Sequence, residues 1–267
     1  MRLTELRARL CAAGIDEAAE EARILFSHFS GLSPAALLGQ DPDCDAAALE
    51  SAVRRRESRE PLAYILGEAP FYRSLLRITP DCLIPRADTE RLVELAVARL
   101  PHGARFLDAC TGSGAIAVTV LSERPDTVAV ATDLSEGALA VARENAGLLG
   151  VLDRLTLLRS DLLREAPDGP FDAILSNPPY IPSAVVPTLS PEVGREPAIA
   201  LDGGDDGLLF YRRLLTLTDR LSPGGFLLLE CGYDQEEAMR QLAAERGLAL
   251  EAYFDYGKNF RGCILTP

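Results

Sequence analysis

Histidine, lysine and long apolar runs are nearly absent from this chain, and each shortage narrows what it can be. Among 267 residues only His28 and His102 are histidines, and neither lies in a Ser/His/Asp or Cys/His pattern. An essential histidine base is therefore not expected. Cys11, Cys44, Cys82, Cys110, Cys231 and Cys263 show no Cys-x-x-Cys spacing. No zinc site can be assembled from this set by motif, and no metal is expected. There is no stretch of 18 apolar residues, so no membrane partner is expected, and the opening Met1-Arg2-Leu3-Thr4-Glu5 lacks a signal-peptide core. The expectation is a cytoplasmic protein with free thiols.

Lys258 is the sole lysine, and arginine supplies the rest of the 27 basic residues against 40 acidic ones. The net charge of −13 is uneven: residues 1–80 carry −2 and residues 81–267 carry −11. An acidic second half argues against direct nucleic-acid binding, which relies on clustered Lys and Arg. The cluster Arg54-Arg55-Arg56 reads as a solvated helix face.

With 48% hydrophobic residues the chain can still bury an ordinary core. Residues 2–13 and 16–29 show helical spacing, with Asp16 as a candidate N-cap and Gly31 as the stop. Ser33 can cap a short third helix, and Asp43 or Asp45 opens a fourth that runs to about Arg59. Residues 1–68 are thus expected to form a small helical domain. Residues 69–87 form a linker whose run from Phe71 to Ile78 suits a hairpin, bounded by Pro80 and Pro85.

Residues 88–267 alternate between helical patterns and short apolar runs. Helices are predicted at 88–100, 113–123, 135–149, 206–221 and 234–247, and strands at 104–108, 127–132, 154–159, 171–176, 225–230, 249–254 and 261–266. Strands separated by helices imply an α/β fold with a parallel sheet covered on both faces. The last two strands lack a helix between them and should pair antiparallel at one edge.

Four strand ends carry the chemistry. The first runs into Asp108-Ala109-Cys110-Thr111-Gly112-Ser113-Gly114, where glycines let backbone approach a ligand and the next helix offers free N–H groups. The second ends at Asp133, whose carboxylate suits a pair of ribose hydroxyls. The third ends in Ser160-Asp161-Leu162, with Asp161 able to accept from an adenine amino group and Leu162 able to flank the ring. A dinucleotide also fits Gly112-x-Gly114-x-x-Ala117 with Asp133 downstream. Asp108 opposes a pyrophosphate, however, and suits the ammonium tail of S-adenosylmethionine.

The fourth strand delivers Asn177-Pro178-Pro179-Tyr180. Each proline fixes its own φ and extends the residue before it, so the Asn amide is held at the strand end with an aromatic face beyond. The Asn177 oxygen and the Pro178 carbonyl can accept from a planar NH₂ group while Tyr180 stacks on it.

These motifs, together with Pro61 to Gly67, Leu83-Ile84-Pro85-Arg86-Ala87-Asp88-Thr89-Glu90, Glu196-Pro197 and Ala200 to Leu208, resemble the release-factor glutamine methyltransferase family over nearly the whole chain. Cys110 departs from the family, which usually has glycine there. The resemblance implies a Rossmann-like class I methyltransferase fold with a mostly parallel seven-stranded sheet, and S-adenosylmethionine as cofactor. Its partners would be class I peptide-chain release factors, methylated on the glutamine amide of their Gly-Gly-Gln motif. It further implies that Asp108 to Gly114, Asp133, Leu162 and Asn177 contact the cofactor, while Asn177 to Tyr180 hold the glutamine. The small helical domain would then recognise the protein substrate. A glutamine methyltransferase of a ribosomal protein and a nucleic-acid amino-methyltransferase are alternative readings, since adenine-N6 enzymes share Asn-Pro-Pro-aromatic.

Overall fold

The computed structural model describes residues 1–37, 39, 41–44, 47–162, 164 and 169–267. By internal contacts the chain divides into two units, Met1–Glu68 with Ser190–Arg195, and Ala69–Leu189 with Glu196–Pro267.

The first unit is helical: α1 (Leu3–Ala12), α2 (Ala18–Ser30), a 3₁₀ turn (Pro34–Leu37), α3 (Ala47–Glu57) and α4 (Leu62–Leu66). Leu6, Leu10, Ala22, Leu25, Phe26, Leu49 and Val53 are fully buried in one apolar cluster. Gly31 ends α2 in the left-handed region, as helix stops often do. The Ser33 hydroxyl accepts from the Ala36 N–H and caps the 3₁₀ turn. Asp16 is not a cap, because α2 opens at Glu17 instead. Asp43 pairs with the chain's amino terminus at 2.7 Å rather than opening α3, and Asp45 lies outside the described residues.

The arginine cluster is only partly a solvated face. Arg54 pairs with Glu50 and Arg55 with Glu60 on exposed ground. Arg56 is buried, held by Glu21 at 2.6 Å and by Glu192 at 2.9 Å. Arg59 also reaches Glu192, at 2.7 Å. These bonds are what group Ser190–Arg195 with the helices.

β1 (Glu68–Phe71) and β2 (Ser74–Arg77) form a hairpin that belongs, from Ala69 onward, to the second unit. It continues as α5 (Thr89–Arg99), β3 (Arg105–Ala109), α6 (Ala115–Glu123), β4 (Val128–Asp133), α7 (Glu136–Leu148), β5 (Leu155–Arg159), β6 (Phe171–Ser176), α8 (Leu209–Leu214), β7 (Leu221–Glu230), α9 (Glu236–Glu245), β8 (Ala249–Phe254) and β9 (Phe260–Thr266). The seven-stranded sheet has the order β5-β4-β3-β6-β7-β9-β8, parallel except where β9 pairs antiparallel with β7 and β8. This is a Rossmann-like class I methyltransferase fold. Strand order reverses direction between β3 and β6, so both carboxyl ends open onto one crevice, where ligands bind in open α/β sheets.

The predicted helix over 206–221 is shorter than expected. It stops at Leu214 and gives way to a 3₁₀ stretch, Leu215–Arg220. Thr216 and Thr218 hydroxyls donate to the carbonyls of Arg213 and Leu215, a local bonding that competes with α-helix. Among the described residues no helix is long and apolar enough to cross a membrane.

One buried side chain ties three pieces of this unit together. Asn145 on α7 is fully buried; its Oδ1 accepts from the Arg77 N–H at 2.7 Å, and its Nδ2 donates to the carbonyls of Arg77 and Ser113 at 3.0 and 2.9 Å. The hairpin and the glycine loop thus share one fastening on α7. Asn145→Ala strands three backbone groups, each costing about 1–3 kcal/mol if left dry, and water entry recovers part of that. Chemical denaturation is expected to show a loss of about 2–4 kcal/mol; a loss under about 0.5 kcal/mol would mean the bonds add nothing to the fold.

Candidate active site

The carboxyl ends of β3, β4, β5 and β6 border one cleft, a concave setting of the kind small molecules occupy. Its lining includes Cys110, Thr111, Gly112, Ser113, Asp133, Ser160, Asp161, Leu162, Asn177 and Pro179. Asp108, Gly114, Pro178 and Tyr180, also expected in the site, are not among its lining residues. From the second unit's other segments, Arg86, Thr89, Pro197, Ile199 and Phe210 complete the wall.

The glycine loop is shaped by left-handed backbone. Gly112 has φ of 55° and Gly114 of 80°, and a Cβ on Gly114 would meet the Ala142 Cβ at 3.0 Å. Gly114 therefore lets α6 and α7 close together. Cys110 also sits at φ of 59°, a conformation that favours glycine. Its side chain packs against the core, and burial pushes its thiol far up, so it is an inert filler rather than a nucleophile.

Asp133 is held from both sides. Its Oδ2 accepts from the Gly112 N–H and its Oδ1 from the Ser135 N–H, each at 2.9 Å. Burial raises its pKa, and those backbone bonds oppose the rise. Both oxygens keep lone pairs for a paired-hydroxyl ligand. Asp161 is 2.7 Å from Arg213, so part of its acceptor capacity is already engaged. Leu162, at φ of 59°, is buried against the same core.

The loop after β6 is braced by the segment that follows. Ile181 donates to the Leu201 carbonyl at 3.0 Å, and Gly203 donates to the Ile181 carbonyl at 2.8 Å. A Cβ on Gly203 would lie 2.7 Å from the Tyr180 Cα, and one on Gly207 would lie 2.4 Å from its carbonyl oxygen. The Gln235 amide donates to that same carbonyl at 3.0 Å. Glu196 is buried; its Oε2 accepts from the Ile84 N–H at 3.0 Å, and its other oxygen pairs with Arg86. Gln235, which carries no motif, escaped the sequence reading.

Asn177 donates from Nδ2 to the Thr89 hydroxyl at 3.2 Å, which leaves its Oδ1 as the free acceptor of the amide. A strand-end carbonyl oxygen on the same cleft as a paired-hydroxyl acceptor suits transfer between a nucleoside-type donor and a planar NH₂ group.

Residues 3–67 match the PrmC N-terminal domain, and residues 88–189 match the methyltransferase small domain. A release factor glutamine methyltransferase from Cereibacter sphaeroides is 47% identical over 247 residues, covering 90% of this chain and 88% of its own. Proteins of the same name from Rhodospirillum rubrum and Caulobacter vibrioides are 44% and 40% identical, covering 90% and 91% of this chain and 76% and 87% of their own. Among solved structures, a methyltransferase from Pyrococcus furiosus overlays with a TM-score of 0.55 at 22% identity, covering 71% of this chain and 87% of its own, which supports the fold.

Asp108 gives a pH test of the wall behind the cleft. It is fully buried, with the Thr111 hydroxyl and the Ala117 N–H on Oδ2 at 2.6 and 3.1 Å and no partner on Oδ1 among the described residues. Burial pushes its carboxyl up to about 7 against those two bonds. In the unfolded chain an aspartate ionises near ~3.9, so between about pH 4 and about pH 7 the native state keeps a proton that the unfolded state has released. Stability then falls as pH rises through that window. Asp108→Asn cannot ionise and is expected to gain about 1–3 kcal/mol relative to wild type between pH 5 and pH 8 in denaturant titrations. A difference that stays constant across that range would show Asp108 charged in the fold throughout.

Proposed function

The chain belongs to the release factor glutamine methyltransferase family, and from that premise we propose that it methylates the side-chain amide nitrogen of the Gly-Gly-Gln glutamine in class I peptide-chain release factors, with S-adenosylmethionine as donor, in the cytoplasm. The observation that carries the reading is the placement of Asn177 on the same cleft as Asp133 and the glycine loop.

The residues present fit the cofactor. Asp133, oriented by two backbone N–H groups, suits the ribose hydroxyls, and Leu162 suits one face of the base. Gly112 and Ser113 line the cleft, and the Asp108 carboxyl keeps one oxygen unpartnered among the described residues, which suits a cationic tail when the group is ionised. When bound, S-adenosylmethionine would supply a methyl group on a sulfonium; as the nitrogen–carbon bond forms the sulfur departs as a neutral thioether, and the nitrogen gives up one proton to solvent.

The chain's own task is to prepare a poor nucleophile. An amide lone pair is delocalised into its carbonyl, so nitrogen must be oriented and its electron density raised. Asn177 Oδ1 and the Pro178 carbonyl accept the two N–H bonds of the glutamine amide, and Tyr180 covers its plane. Pro178 and Pro179 are buried, which fixes both acceptors before substrate arrives. Orientation of this kind supplies roughly 7–11 kcal/mol in favourable cases.

Methyl transfer to purified release factor is the direct test, run beside its Gln→Ala form, a ribosomal protein substrate, tRNA and DNA. Transfer confined to intact release factor supports the reading, and transfer to the ribosomal protein or to nucleic acid would favour the alternative in question. Asp133→Ala is expected to weaken cofactor binding tenfold or more in calorimetry, from the loss of one charged acceptor worth about 1.5–3 kcal/mol per bond. Asn177→Ala is expected to lower turnover about 10²–10³-fold with a smaller effect on cofactor affinity.

The helical residues 1–68 are proposed to recognise the protein substrate. A chain beginning at Ala69 is expected to keep cofactor affinity and activity on a short Gly-Gly-Gln peptide, while losing at least about tenfold in kcat/KM on the intact factor. Equal activity on both substrates would remove that role.

A further inference from the structure

The mechanism above gives no part to several buried polar groups near Asn177. Thr89, the acceptor of the Asn177 amide, opens α5, is 4% exposed and lines the cleft. Glu230 directly follows Leu229, which pairs in the parallel register of β6 and β7 with Ser176, the residue before Asn177. Glu230 is 1% exposed; the Thr89 hydroxyl favours its charged form, and its Oε2 has no hydrogen-bond partner among the described residues. Arg261 on β9 and Arg86 ahead of α5 also favour that charge, Asp88 opposes it, and Tyr180, Cys231 and Tyr253 on β8 lie in its field. A buried carboxyl with a bare oxygen is costly to keep and calls for a reason.

The reason lies in a hydroxyl's single hydrogen. If a Glu230 carboxylate takes it, the Thr89 oxygen is left only to accept, and Asn177 must turn its NH₂ toward Thr89. Oδ1 is then the edge presented to a ligand. The opposite rotamer of Asn177 would set its NH₂ against the NH₂ of a glutamine, donor against donor.

We propose that Thr89 and Glu230 are positioning residues for Asn177: the Glu230 carboxylate orients the Thr89 hydroxyl, and Thr89 holds the Asn177 amide with its oxygen toward the substrate NH₂. The proposal rests on the glutamine reading of the cleft, and it adds two residues whose only influence on methyl transfer runs through Asn177.

Thr89→Val keeps the shape and removes the hydroxyl. It is expected to lower kcat about ten- to hundredfold, with KM for release factor and calorimetric affinity for S-adenosylmethionine within about threefold of wild type, while Thr89→Ser regains most of kcat. Burial pushes the Glu230 carboxyl up to about 7, so wild-type kcat should fall as pH drops through that value and Glu230→Gln should lack this limb. A readout free of turnover is the side-chain amide resonance of Asn177, identified by its loss in Asn177→Ala. It should move with pH around the same midpoint in wild type and stay fixed in Glu230→Gln. Wild-type kcat in Thr89→Val, or an Asn177 resonance indifferent to both substitutions, overturns the proposal. A wild-type enzyme that leaves release factor unmethylated overturns the glutamine reading and the substrate half of the proposal, and the resonance then still decides the Glu230–Thr89–Asn177 half.

Discussion

Close backbone packing at Tyr180 is the constraint on which the cleft depends. The 201–207 segment approaches so near that neither Gly203 nor Gly207 has room for a Cβ, and the backbone hydrogen bonds between Ile181, Leu201 and Gly203 form a short ladder. Two prolines stiffen the same loop from within. A loop held from inside by φ and from outside by sterics has few alternative states, so its acceptors need little reorganisation when a substrate arrives. Side chains at Gly203 or Gly207 would move the motif as a body.

Much of the second unit was legible in the alternation of helical and apolar runs, because buried parallel strands read as continuous apolar segments. Strand ends were legible for a different reason: Asp133 and Asn177 interrupt apolar runs where a parallel sheet places ligands. What depended on distant partners was not legible. Arg56 looks like surface in sequence and is buried because Glu192, 136 positions away, meets it. Thr89 reaches Asn177 through helix placement, and Glu230 is set beside the end of β6 by sheet register, neither of which local spacing encodes. Gln235 braces Tyr180 across 55 positions without any motif of its own.

Cys110 and Leu162 show what a side chain in the left-handed region means in such a site. Both carry side chains at φ of 59°, where a non-glycine residue costs about 1–2 kcal/mol. Both recover part of that by packing against the core of the sheet unit. The cleft wall thus holds two strained residues beside a rigid loop, and burial offsets part of that strain.

The bond between Arg56 and Glu192 has a consequence for the order in which the chain is made. The helices come off the ribosome first, yet the segment that closes their ion-pair network, Ser190–Arg195, follows β6 and the Asn-Pro-Pro-Tyr loop. Until then Arg56 has Glu21 as its one carboxylate partner of the two, and a buried guanidinium short of a counter-charge is destabilising. The first unit to be synthesised is therefore the one finished late, and its last piece arrives only after the strand that carries Asn177 has been translated.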